Sequence, residues 1–338
     1  MKKFRWPVIA GLFVSLAASV CAVTITENFT NDPSADGWQI FGDTNLFQWN
    51  PADHNLSVIW DSSKANSYFY HPLGNTITRL DDFNISFDLQ LNDITAGSEP
   101  GKSGAMEIAF SLLNFATATS PNFQRGVFGG APGLFELDYF PPWIYSDDTG
   151  SYPISPTLTP TFVSTNSFDY APSAYIPYEV EFPTGELVHV SLAFTASNQT
   201  LVATFQTNGT DVVQIPPVVL SDDFATDDDY AVDIFSITSY SSNGDPYDSV
   251  LAHGIVSNLV VTVPPPPIQN LSGAFSNSVW RVQFISQTNW IYTLQCTTNF
   301  NSWSDISVAT AGNGTNLFLQ DTAPPAEKAF YRVSAERP

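Results

Sequence analysis

Cysteine and positive charge are what this chain has least of. Its 338 residues hold 2 cysteines, and 11 lysines and arginines stand against 33 aspartates and glutamates. Lys2, Lys3 and Arg5 sit at the very start, ahead of an apolar stretch from Trp6 to about Val20 and the sequence Val20-Cys21-Ala22. A basic start, a short apolar run and small residues at a cleavage point describe a secretory signal peptide over residues 1–22, cut after Ala22. The alternative, a lipoprotein acylated at Cys21, lacks the usual leucine and small residue ahead of that cysteine. Without the leader 8 cations face 33 anions, a net charge of −25. Such a charge argues against nucleic acid or an anionic membrane surface as partner. Cys296 is then the one cysteine left, which excludes an intrachain disulfide and a cysteine-based metal site. In the strand-like run Tyr-Thr-Leu-Gln-Cys-Thr-Thr it reads as a small residue facing a core. No later run is long and apolar enough to span a membrane. The expectation is a secreted, extracellular protein with no membrane insertion.

Helical periodicity is scarce as well. There is no phosphate-binding glycine loop, no His-x-x-x-His, and no serine or cysteine nucleophile motif. His54, His71, His189 and His253 are dispersed in sequence and read as structural. What the chain does have is alternation. Asn84–Leu91 (NISFDLQL) puts Ile85, Phe87, Leu89 and Leu91 on one face and Asn84, Ser86, Asp88 and Gln90 on the other. Met106–Phe110, Leu187–Thr195, Thr200–Gln206 and Asn258–Val263 are further short runs of the same kind. A period of two in runs bounded by Gly, Pro, Asn and Asp describes half-buried antiparallel strands, and many of them describe a sandwich or barrel. Four consecutive prolines, 264–267, cannot continue a sheet and favour an extended spacer. They divide the chain into a large domain over 23–263 and a small all-β module over 268–338. The large domain opens on Val23–Phe29 and closes on Gly254–Val263, two strands expected to pair.

The chemistry concentrates in residues 134–143, LFELDYFPPW. Glu136 and Asp138 are two apart and share a strand face. Three readings stand for them: a catalytic pair, a metal site, or the wet face of a strand whose Phe135, Leu137 and Tyr139 pack inward. Between Tyr139 and Tyr178 the alternation breaks down into a stretch rich in proline and tyrosine, of a length that suits a binding loop. Trp143, Tyr145, Tyr152, Tyr170 and Tyr175 lie there and are candidates for exposure, whereas Trp38, Trp49, Trp60, Tyr68 and Tyr70 read as core. Exposed rings stack on sugars while Asp and Asn bond hydroxyls, so this composition suits a glycan. It also suits a protein surface. A second acidic cluster, Asp222-Asp223 with Asp227-Asp228-Asp229, lacks EF-hand spacing and reads as a solvated loop.

Residues 23–263, with their ENFTNDPSADGW opening and GIVSNLVVTV close, resemble the concanavalin A-like lectin and glucanase jelly-roll sandwich. FQWNPADHNLSVIWDSSKANSYFYHPLG, LFELDYFPP and YTLQCTTNFNSW…FYRVSAERP look like a group of secreted proteins of environmental bacteria. In that group a C-terminal module of the form Y-T-L-Q…W…FYRV recurs as an appended accessory domain. The resemblance implies an extracellular all-β protein. Retaining glucanases of the sandwich family carry Glu-x-Asp-x-x-Glu or Glu-x-Asp-x-Glu, because one glutamate attacks and the other protonates the leaving group. Glu136 and Asp138 match the first two positions, but the third falls on Phe140 or Pro141, which turns the expectation away from hydrolysis unless a loop residue such as Glu179 or Glu181 supplies the acid. Legume-type lectins carry a Val-Glu-Phe-Asp metal strand, which Phe135-Glu136-Leu137-Asp138 resembles. That implies a single calcium ion at Asp138, Asp147 and Asp148, although the asparagine position falls near Pro142 and the next histidine is His189.

The expectation is therefore non-catalytic, lectin-like recognition of an extracellular polysaccharide, with Glu136, Asp138, Trp143, Tyr145 and Tyr152 as ligand-binding residues. The alternatives are a glucanase-type hydrolase with a loop-supplied acid and a structural or adhesive surface protein.

Overall fold

The computed structural model describes residues 22–102, 104–121, 123, 133–147, 150–163, 168–170, 181–220, 230–242, 248–326 and 328–337. Residues 1–21 of the expected leader, Asp148, Tyr175, Glu179 and the 222–229 acidic cluster lie outside the described residues. The chain forms two compact units, which meet in sequence at Pro264 and Pro265.

In the first unit the strands run β1 (Val23–Glu27), β2 (Gln39–Phe41), β3 (Phe47–Asn50), β4 (Asn55–Asp61), β5 (Ser67–Thr78) and β6 (Phe83–Ala96). Then come β7 (Ile108–Leu113), the one-turn helix α1 (Phe115–Ala118), β8 (Leu134–Phe140), β9 (Trp143–Asp147), β10 (Gly150–Ile154), β11 (Thr157–Val163) and β12 (Phe168–Tyr170). The unit ends with β13 (Val188–Thr195), β14 (Thr200–Thr207), β15 (Thr210–Gln214), β16 (Val218–Val219), β17 (Ala231–Ser239) and β18 (Val250–Val263). A nine-stranded sheet follows the order β15-β14-β13-β6-β18-β4-β3, with β1 also on β18 and β16 on β14. A seven-stranded sheet follows β12-β11-β8-β7-β17-β5-β2. The pairings within both sheets are antiparallel and most strand neighbours are distant in sequence, which is the all-β jelly-roll sandwich class. The opening and closing strands do pair, from Val23 opposite Val263 to Glu27 opposite Leu259.

Alternation explains the packing. Ile85, Phe87, Leu89 and Leu91 of β6 are all buried, while the polar residues between them are partly or fully exposed. Phe87 stacks on Phe110 of the other sheet with ring centroids 4.1 Å apart, and Trp60 meets the same ring at 6.1 Å. Phe135 of β8 packs between Phe83 and Phe162. Phe135, Leu137 and Tyr139 thus face the intersheet core, as the alternation requires. Gly133 sets where β8 starts. Its φ is +76°, and a Cβ there would lie 2.1 Å from the Ala231 carbonyl oxygen, so only glycine fits.

The stretch from Tyr139 to Tyr178 differs from expectation. Its described residues, which end at Tyr170, form four strands, β9 to β12. Its prolines obscured them. Pro160 itself lies inside β11, opposite Leu137 of β8.

The second unit holds β19 (Ile268–Ser276), β20 (Val279–Ser286), β21 (Ile291–Thr297), β22 (Ser304–Asp305), β23 (Thr310–Ala311), β24 (Asn316–Asp321) and β25 (Phe330–Glu336). One sheet follows β19-β20-β24; the other follows β22-β21-β23, with β25 also on β21. Its small core is Val282, Phe284, Tyr292, Leu294 and Leu319, and Cys296 is buried. Among the described residues no helix is long and apolar enough to cross a membrane.

Candidate functional site

The face of the seven-stranded sheet turned away from the core is polar. Register aligns Thr161, Glu136, Ser111, Ser236, Tyr70 and Gln39 in one row across β11, β8, β7, β17, β5 and β2. The next row holds Thr159, Asp138, Ala109, Thr238, Tyr68 and Phe41. The side-chain period places the two acidic residues of LFELDYF here, as expected, but the expectation of a wet face is corrected. Glu136 and Asp138 are both 0% exposed.

What covers them comes from elsewhere in the chain. Tyr240, just past β17, donates its hydroxyl to Glu136 Oε1, and Ser111 Oγ donates to the same oxygen at 3.1 Å. Ser236 and Thr238 hydroxyls are bonded at 2.6 Å, and Thr238 Oγ1 donates to Ser111 Oγ at 3.4 Å. After β7, Asn114 caps α1 by accepting from Thr117 N at 3.1 Å, and Tyr68 donates to the Ala118 carbonyl at 2.9 Å. Phe123 packs on Tyr240, and Phe115 on Phe41. The hydroxyls of Tyr240 and Ser111 thus replace the hydration that the buried Glu136 side chain gives up.

The cover has a titration consequence. Burial first, and the Glu136 carboxylate second, push the Tyr68 hydroxyl far above the ordinary phenol range; burial and then Asp81 do the same to Tyr230. The folded chain therefore keeps protons that the unfolded chain loses above about pH 10, so stability falls as pH rises past that point. Melting temperature is expected to hold up to about pH 9.5 and drop steeply above pH 10. Tyrosinate absorbance from these two rings should grow only with unfolding; its appearance in the folded state would contradict their burial.

One end of this polar face stays open. Ile234 of β17 pairs with Pro72 and Val232 with Ile77, so Leu73–Thr76 of β5 loop out opposite Asp233 alone. Gly74, at φ +71° in open space, permits the excursion. Irregularities of this kind re-aim side chains. The result is a groove of about 530 Å³ whose lining includes Gln39, Tyr70, Asn75, Phe115, Asp233 and Ile234. Phe115, at the edge of the cover, stacks on Tyr70 with centroids 4.8 Å apart. Tyr70 donates its hydroxyl to Gln39 Oε1 at 2.9 Å, and burial lifts that hydroxyl above its ordinary value, so it remains a donor. This leaves the Gln39 amide NH2 to donate. Asp233 Oδ1 accepts from Phe115 N at 2.8 Å, which ties the aromatic ring to the strand and leaves Oδ2 as an acceptor. Asn75 Nδ2 donates to the Pro264 carbonyl at 3.4 Å.

The expected site residues are not gathered here. Trp143 opens β9, half-buried, and register sets it opposite Ile154 and Tyr145 opposite Tyr152 in the β9–β10 hairpin. Asp147 ends β9. That hairpin follows Phe140, whereas the groove adjoins Leu113 and Ile234, in the row of Leu134. The groove lining, from Ile234 level with Leu134 to Tyr70 and Gln39 level with Glu136, includes no residue of that hairpin. Among the described residues no three His, Cys, Asp or Glu side chains group to hold a metal. His71 bonds backbone carbonyls, and His189 and His253 bond Asp88 and Asp93. Sequence reading missed Gln39, Phe115 and Asp233. The available signals were an aspartate inside the apolar run AVDIFSITS and a Gly-Asn pair inside a strand.

No protein-family model and no curated protein matches this chain. Among solved structures it is similar to an alginate lyase in complex with an alginate tetrasaccharide, at 16% identity over 70% of this chain and 96% of that one, TM-score 0.37. It is also similar to the winged bean acidic lectin complexed with methyl-α-D-galactose, at 11% identity over 72% and 99%, TM-score 0.44. The basic winged bean lectin with Tn-antigen gives 9% identity over 72% and 100%, TM-score 0.42. Identities and TM-scores this low assign neither activity nor ligand.

Proposed function

We propose that the first unit is a non-catalytic, lectin-like domain of a secreted protein, and that it binds an extracellular polysaccharide in the open groove. One observation carries the reading: an aromatic floor, Phe115 on Tyr70, lies between a side-chain donor, Gln39, and a carboxylate acceptor, Asp233, in a groove of ligand size. A pyranose has an apolar C–H face and a rim of hydroxyls that both donate and accept. It therefore matches a ring flanked by one donor and one acceptor.

The burial of Glu136 supports the non-catalytic part. A glycosidase needs two carboxyl groups that reach the scissile bond, and a fully covered Glu136 reaches none in this conformation. The test is affinity electrophoresis and pull-down of the whole protein on a panel of neutral plant and algal polysaccharides, with reducing-sugar release measured alongside. Retention on at least one polysaccharide without release of sugar is expected. Retention by none removes the proposal, and sugar release lost in Glu136→Gln returns the hydrolase alternative. The calcium ion expected at Asp138, Asp147 and Asp148 is tested in the same assay. Binding abolished by EDTA and restored by calcium supports it; binding indifferent to both removes it.

A further inference from the structure

The second unit carries a surface of different chemistry. The first unit has 4 basic and 29 acidic residues from 22 to 264, whereas residues 265–338 hold 4 of each. Two of these cations stand on one aromatic patch. Arg332 stacks on Trp303 at 4.3 Å from the ring centroid, and Lys328 lies 4.9 Å over Phe330. Phe300 joins the two rings, 4.0 Å from Phe330 and 6.3 Å from Trp303. Phe300 is 58% exposed, and its φ is +62°, an unfavourable conformation for a bulky side chain. Thr297 Oγ1 holds it there by accepting from Phe300 N at 3.1 Å, and Asn299 Oδ1 accepts from Asn301 N at 2.9 Å. A strained backbone that presents a ring to water gains nothing for the core, and such outliers concentrate at ligand clamps.

Arg332 is fixed as well. Its Nε donates to Gln295 Oε1 at 2.7 Å, and Gln295 Nε2 donates to Asp305 Oδ1 at 2.7 Å. With Nε used and the guanidinium face on Trp303, the two terminal nitrogens remain as an end-on fork. That fork matches a planar carboxylate in bidentate fashion, which a lysine ammonium cannot do.

We infer that Phe300, Trp303, Phe330, Lys328 and Arg332 form a second binding site, for a carboxylate-bearing polysaccharide. The exposed Phe300 ring takes a pyranose face and Arg332, held on Trp303, takes a uronate carboxylate, with Lys328 as a second positive point. The site is independent of the groove in the first unit. The acidic first unit repels such a chain, so recognition falls to this patch.

Affinity electrophoresis of the whole protein, in EDTA, tests this with gels containing polygalacturonate, dextran sulfate or neutral dextran. Polygalacturonate should retard the protein at concentrations at least 10-fold below those needed with the other two. Arg332→Lys, which keeps the charge, should lose most of that retardation, as should Trp303→Ala. Asp233→Asn, in the groove, should keep it. No retardation by polygalacturonate, equal retardation by dextran sulfate, or full retardation of Arg332→Lys each overturns the assignment. Loss in Asp233→Asn would place the anionic ligand in the groove and overturn it too. Groove binding of a neutral polysaccharide is scored separately, so either site can fail alone.

Discussion

Replacing Glu136 by alanine is expected to lower the unfolding free energy by about 3 kcal/mol, because two buried donors each lose an acceptor at roughly 1–3 kcal/mol. The donors are the hydroxyls of Ser111 and Tyr240, 0% and 2% exposed. Glutamine keeps a carbonyl oxygen at the same place, so Glu136→Gln should cost only about 1 kcal/mol, the difference between a charged and a neutral acceptor. Urea unfolding with an unchanged m-value is the measurement. An alanine variant as stable as the native protein would mean that the carboxylate is hydrated and the cover above it open. Glu136→Gln should leave polysaccharide binding intact, because the groove lining does not include Glu136.

Asp233→Ala is expected to weaken polysaccharide binding by roughly 10- to 100-fold, the value of about 1.5–3 kcal/mol for a hydrogen bond to a charged acceptor. The same change removes the acceptor of Phe115 N and so loosens the turn that carries the aromatic floor. That costs about 1 kcal/mol of stability, as for a lost helix cap. Asp233→Asn separates the two effects. Its amide oxygen still accepts from Phe115 N, so stability is retained, while the ligand loses a charged acceptor and binding falls by a smaller factor. Isothermal titration with the best polysaccharide fragment, beside thermal melts, reads both quantities. Native affinity in Asp233→Ala would exclude this groove as the binding site.

Strand identity and face were legible in the sequence because they are local. In NISFDLQL and LFELDYF the side chains alternate between the two faces of the strand, so a string of letters is enough to say that Phe87 and Phe135 share a core and that Glu136 and Asp138 share the opposite face. The pairing of Val23–Glu27 with the last strand was legible from its position at the two ends of one domain. Charge and cysteine usage were legible because they are sums.

The environment of the opposite face was not legible, because it is assembled from remote parts. Tyr240 is 104 residues from the carboxylate it bonds, and Tyr68 is 50 residues from the α1 carbonyl it holds. No local pattern marks a polar strand face as covered or wet. The groove is less visible still. It exists because β17 and β5 slip register between Val232 and Ile234, a property of two strands that neither encodes alone. The sequence by itself determined an acidic, all-β chain and which residues of each strand look the same way. The tertiary structure decided that Glu136 and Asp138 are sealed and that Gln39, Phe115 and Asp233 meet. The physical reason is that burial and convergence depend on which distant segment lies over a surface.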